Sequence, residues 1–256
     1  MKRITSVVLA VCMLLSVMLF ASCAQETPAS LVNGAMEKMA ELDSMEAKVD
    51  AEIKMSMLGI DLAMPIDMHM VLENAKSTTP VASLEAEMSM MGESVSMNMY
   101  LDGQGWAYIT MDGEGYKVNT ADAMEQLPLS TDNVTDMITQ FPEELFEGAQ
   151  IVNNEDGSKS VSLAITPEMY AQLFGDALDG LASSMGAAVT LKDISLEITV
   201  KDGYVVEYDI EFDMDMNVEG ISVSASMDMD IDYINPGKAV KVTPPAGYEN
   251  FPVMGE

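Results

Sequence analysis

Cysteine is nearly absent from this chain of 256 residues: it has two, Cys12 and Cys23. Beyond residue 23 no side chain can form a disulfide, act as a thiolate nucleophile or bind zinc through sulfur. Arginine is scarcer still. Of the 12 basic residues, Lys2 and Arg3 stand at the start, which leaves ten lysines against 42 acidic residues and a net charge of −32 after residue 22. Such a surface repels nucleic acid and anionic lipid headgroups. There is one histidine, His69, and one tryptophan, Trp106. Serine–histidine catalysis would have to run through His69, and no Gly-x-Ser-x-Gly elbow is present. Nothing among the 42 acids singles out a carboxylate pair for glycoside hydrolysis. The chain reads as a binding or interaction protein with no enzyme activity and no cofactor.

The N-terminus carries an export pattern. Lys2 and Arg3 precede an apolar run from Ile4 to Ala21, broken by Thr5, Ser6 and Ser16, and small residues then lead into a cysteine. The stretch Leu19-Phe20-Ala21-Ser22-Cys23 resembles the bacterial lipobox, in which the cysteine is acylated and becomes the new N-terminus. It departs from that pattern in placing Phe20, not leucine, three positions before the cysteine. Two acyl chains on Cys23 supply the two signals that stable membrane anchoring needs. This divides the chain into a signal over 1–22, a lipidated cysteine with a short tether over 23–29, and one domain over 30–256. The expected location is extracytoplasmic, held to the cell membrane through Cys23.

Methionine is abundant, with 26 residues, and its placement follows a strand period. The domain opens with a helix capped by Ser30 and running to about Asp43, with Leu31, Ala35, Met39 and Leu42 on one face. The period then changes from helical to two. Residues 45–57 alternate Met45, Ala47, Val49, Ala51, Ile53, Met55 and Met57 with Glu46, Lys48, Asp50, Glu52, Lys54 and Ser56. Residues 60–72 repeat this, with Met64, Met68 and Met70 on the apolar side. Two further strands carry Met88 and Met90, then Met97 and Met99. Trp106 and Tyr108 lie on a strand between the turn signals Asp102-Gly103 and Asp112-Gly113.

The middle of the chain reads as helical from Ser130 to Glu147, interrupted by Pro142. Strands follow near Gln150–Asn153 and Ser158–Ile165. A second helix is capped by Thr166, has Pro167 in its first position and runs to about Met185. The last third is a three-strand meander. Its first turn reads as a three-residue loop, Lys201-Asp202-Gly203, and its second as the two-residue turn Glu219-Gly220. The second turn brings Met214 and Met216 alongside Met227 and Met229. After Pro244-Pro245 the chain reads as a loose tail. Alternation of this kind means a sheet with one wet face and one covered face. The fold class is α+β: a large, curved, unclosed antiparallel sheet wrapped around helices on its concave face.

The order of these elements resembles the LolA/LppX-like superfamily of bacterial lipoprotein carriers, and within it the lipoproteins of unknown function. The resemblance rests on the helix Leu31–Leu42 running into Met45-Glu46-Ala47, the segment from Tyr100-Leu101-Asp102-Gly103 to Tyr116-Lys117-Val118, the meander Ile194–Tyr233, and Val242-Thr243-Pro244-Pro245. It covers nearly all of 30–250 as a pattern without a sharp motif. It implies a half-barrel sheet and an apolar cavity that takes acyl chains, and it transfers no invariant binding residue.

Two functional readings stand side by side. In the first, Met55, Met57, Met64, Met68, Met70, Met88, Met90, Met97, Met99, Met214, Met216, Met227 and Met229, together with Trp106, line a cavity for a lipid or other apolar molecule, because flexible thioether side chains repack around variable ligands. In the second, they fill an ordinary core, and the protein is an envelope scaffold whose acidic face meets a basic or cation-bridged partner. The Glu219-Gly220 turn places Asp209 opposite Asp230 and Glu211 opposite Asp228, a weak divalent-cation candidate on a flat strand face. A copper site built from thioethers would take the methionines out of the apolar face, and His69 has the opposite parity.

Overall fold

The computed structural model describes residues 26–57, 59–90, 92–111, 113–120, 141–169, 187–218 and 221–254. The export signal, Cys23, most of the helix read over 130–147 and all but the start of the helix read over 167–185 lie outside the described residues. Among the described residues no helix is long and apolar enough to cross a membrane.

Helix α1 spans Pro28–Ala40. Its cap is Thr27, not Ser30. The Thr27 side chain accepts from the Ser30 N–H at 3.1 Å, and the Ser30 side chain accepts from the Thr27 N–H at 2.9 Å. Ser30 is therefore the third helical residue of a reciprocal capping box, and Pro28 takes the first position, where a missing N–H costs nothing. Helical structure thus begins inside the stretch read as tether. Leu31, Val32, Ala35 and Met36 are its buried face.

Eleven antiparallel strands follow in one open sheet. They are β1 Ser44–Met57, β2 Ile60–Glu73, β3 Val81–Met90, β4 Glu93–Asp102, β5 Trp106–Met111, β6 Glu114–Asn119, β7 Ile151–Asn153, β8 Lys159–Ile165, β9 Ala187–Lys201, β10 Tyr204–Val218 and β11 Ile221–Tyr233. The spatial order is β6-β5-β4-β3-β2-β1-β11-β10-β9-β8-β7. Two meanders, β1 to β6 and β7 to β11, are joined at a single seam where β1 pairs with β11. The result is a curved half-barrel, mostly β. At ~3.3 Å per residue the 14-residue strands β1 and β2 are about 46 Å long.

The β9–β10 connection departs from the expected loop. Lys201 pairs with Tyr204, so the turn has two residues, Asp202 and Gly203, at φ 54° and 78°. Both central residues at positive φ define the twisted Asp-Gly turn that suits a tight hairpin. A bulge between Val205 and Glu207 then resets the register, so that Ile198 faces Tyr208 and Leu196 faces Ile210. Both solutions keep the apolar sets on one face, which is why the pattern alone did not separate them. The Glu219-Gly220 register is as read: Val218 pairs with Ile221, and Asp209 with Asp230.

The main core lies on the inner face at one end of the sheet. Val161, Leu163, Ile194, Leu196, Ile198, Val200 and Val205 pack against α1 and against Leu145 and Phe146 of a short 3-10 turn. Each fully buried Val or Ile here contributes about 1.5–3 kcal/mol of transfer free energy. Asn33 ties the turn to the helix, donating to the Phe141 carbonyl and accepting from its N–H, both at 3.0 Å.

The C-terminal segment is not loose. Tyr248 packs edge-on to Tyr100 and Tyr108 on the outer face of β4 and β5, with ring centroids 5.2 and 4.9 Å apart. Phe251 lies over Gly115, where a Cβ would come within 2.5 Å of its ring. Lys117 of β6 donates to the Pro252 carbonyl at 2.8 Å and accepts from the Met254 N–H at 2.9 Å. This covers an otherwise open sheet edge.

Candidate ligand face and acidic face

Strand alternation and register together place the methionines. In one cross-strand row Leu163, Leu196, Ile210, Met229, Ala51, Ile66, Met88 and Val95 lie side by side. The neighbouring row runs through Ile198, Tyr208, Ile231, Val49, Met68, Ala86, Met97 and Met111. Met214 pairs with Ala225 and so with Met55, Met227 with Ile53 and so with Met64, and Met216 with Val223 and so with Met57. Met70 joins Met99 through Leu84. Apart from Met57, whose side chain lies outside the described ones, the strand methionines singled out from the sequence therefore belong to one inner face, continuous with the packed core.

Coverage of that face is uneven. Ile198 and Val161 are fully buried, whereas Met88 is 39% and Met90 46% exposed. Met55, Met64, Met68, Met70, Met97, Met99, Met214, Met216, Met227 and Met229 are half-buried. Among the described residues, the main strand contacts of α1 and the 3-10 turn are with β8, β9 and β10.

Trp106 is on the other face. It shares the parity of Tyr108, and the Lys117 ammonium sits 5.2 Å from its ring centre. Two residues apart on one strand means the same side, so Trp106 shares the face of Tyr108 and does not join the methionines. A sequence signal for this was present: Tyr100 and Tyr108 fall out of phase with Met97 and Met99.

The outer face is acidic. Asp209, Glu211 and Asp228 place carboxylate oxygens within 4.8 Å of one another. Asp230, the fourth cation candidate, faces Asp209 but stands outside that trio. These groups are largely solvated on open strand, with no loop of carbonyl oxygens around them. His69 lies on this face as well, with Nε2 2.9 Å from Glu46 and Nδ1 4.0 Å from Glu85. A shallow depression of about 360 Å³ is lined by Lys48, Asp50, Asp67, His69, Glu85 and Glu87. Burial, then the charge of Asp232, pushes the Glu207 carboxyl up, and burial likewise raises Tyr208 and Tyr233. Sequence reading found the Asp209–Asp230 and Glu211–Asp228 pairs. It missed their continuation through Asp50 and Asp67, because the β1–β11 pairing has no local signature.

An open antiparallel half-barrel with one apolar inner face is the class of protein these elements define. The chain belongs to a family of unknown function, DUF6612, whose model matches residues 27–246. No curated protein matches it. Among solved structures, a DUF1329 family protein from Desulfovibrio piger is similar at 9% identity over 84% of this chain and 96% of its own, with a TM-score of 0.27. A LolA superfamily protein from Nitrosomonas europaea is similar at 10% identity over 86% of this chain and 96% of its own, with a TM-score of 0.23. Superposition this loose carries no weight for function.

Proposed function

We propose that this protein is a lipoprotein, anchored outside the cytoplasmic membrane by acylated Cys23, that holds a lipid or other apolar molecule against its methionine face. One observation supports the reading above others: the inner face continues unbroken from a packed Ile/Leu/Val core into a methionine surface that the described elements leave partly open. A contiguous exposed apolar surface is costly to a soluble protein unless something binds it. Methionine suits such a surface because its unbranched, polarisable side chain adapts to different apolar shapes. The reading assigns no catalytic role to any residue.

Native mass spectrometry of the purified protein, followed by solvent extraction, tests the ligand. An apolar adduct that is diminished by Met97→Trp and by Met214→Trp is the expected result. A clean protein mass with no uptake of added phospholipid or fatty acid overturns the reading and leaves the scaffold with an acidic face. The anchor is tested separately by labelling with radioactive palmitate: label and membrane partition are expected in the wild type and lost in Cys23→Ala. Label persisting in Cys23→Ala refutes the anchor.

A further inference from the structure

Among the described residues the two meanders are joined by the pairing of β1 with β11, and the outer-face row that crosses it carries a carboxylate on six consecutive strands. Glu197, Asp209, Asp230, Asp50, Asp67 and Glu87 stand side by side on β9, β10, β11, β1, β2 and β3. Directly opposed Cβ atoms in such a sheet are ~4.5–5.5 Å apart, and like charges there destabilise the pairing. The row contains no lysine. The row on one side holds Glu207, Asp232, Lys48, His69 and Glu85, and the row on the other holds Glu211, Asp228 and Glu52. The His69 ring is 2.9 Å from Glu46, and Lys54 pairs with Glu52 at 2.6 Å. Lys48 lines the same depression as Asp50 and Asp67, and the carboxylates of the row outnumber it.

Protonation of a carboxyl removes its charge and so relieves such repulsion. Donation of a hydrogen bond to Asp50, and then burial, hold the Asp67 carboxyl above its ordinary value. Burial, and then the charges of Asp209, Asp228, Asp232 and Asp50, do the same to Asp230. Burial, and then Glu211, Asp228 and Glu197, raise Asp209. We infer that Asp67, Asp209 and Asp230 make this carboxylate row an acid-responsive clasp, which takes up protons on mild acidification and tightens the β1–β11 seam. A carboxyl that binds its proton more tightly in the folded state stabilises the fold at low pH and loses that contribution as pH rises through its folded-state value. Asp156 and Asp215 work in the opposite sense, because Lys201 and Lys192 hold them low, and their contribution disappears only below the ordinary carboxylate range. The tightening therefore sets in above the ordinary carboxylate range.

The test is the thermal midpoint of the purified protein at about pH 7.5 and about pH 5. The wild-type midpoint should rise by several degrees on acidification. Asp50→Asn with Asp230→Asn should raise the midpoint at the higher pH and remove most of that rise, and Asp67→Asn should do so in part. Glu155→Gln with Glu249→Gln removes the same charge from exposed sites off the row and should leave the rise intact. A wild-type midpoint that is flat or falls in acid overturns the inference. So does a control pair that matches the row pair, since net charge alone would then account for the effect.

Discussion

From β8 to the start of β10 the inner face is Ile, Leu and Val pressed under α1, and the side chains there reach 0% exposure. From β1 to β5 the same face is methionine, and Met88, Met90 and Met111 are each about two-fifths or more exposed. Both places belong to one antiparallel sheet. The difference lies in what the face packs against and in which apolar side chain was used. Branched residues with few rotamers specify a tight core, and unbranched methionine tolerates an incomplete one. The packed half holds the most deeply buried side chains, and the methionine half the more exposed ones.

Substitutions in the two halves should separate these roles. Ile198→Ala opens a cavity where nothing can collapse and should cost about 2–5 kcal/mol in denaturant unfolding. Gly115→Ala drives a methyl group into the Phe251 ring and should cost about 1–3 kcal/mol, with protease cleavage near residue 250 appearing before global unfolding. Thr27→Ala removes the reciprocal cap of α1 and should cost about 1 kcal/mol, read from the same unfolding curves. Met88→Ser should cost less than ~1 kcal/mol, because the side chain is already partly wet, yet should weaken uptake of an apolar ligand. A cost at Met88 equal to that at Ile198 would erase the distinction between the halves. The smallest effect is at Asp156, which Lys201 and Ser158 hold below the usual carboxylate range. Asp156→Asn should change nothing at neutral pH beyond a slight loss, and should reduce the fall in stability only on the acid side of the ordinary range.

Local pattern was enough for much of this. Alternation marked which residues of β1 to β4 and β9 to β11 share a face, since neighbouring side chains on a strand must point opposite ways. The Glu219-Gly220 turn set the β10–β11 register, because a two-residue hairpin leaves no freedom. Helix α1 was visible, but its cap was not. Ser30 and Thr27 both carry hydroxyls, and the choice depends on Pro28, which favours the first helical position. At Lys201–Tyr204 a three-residue loop and a tight turn with a bulge satisfy the same parity, and only the packing that buries Val205 distinguishes them.

Composition and period established the acidic outer face, the apolar inner face and the antiparallel sheet, because each follows from residues close together in sequence. Three features came from contacts between distant segments. The β1–β11 seam aligns Asp50 and Asp67 with Asp230 and Asp209, segments far apart along the chain. The return of Tyr248 and Phe251 onto β4 to β6 turns a Pro-rich ending into an edge cover and claims Trp106's face for an aromatic cluster. Above all, whether an apolar strand face becomes dry core or exposed surface depends on what lies over it. Parity records only the side on which a residue points, and burial is decided by the partner that the rest of the chain brings to that side.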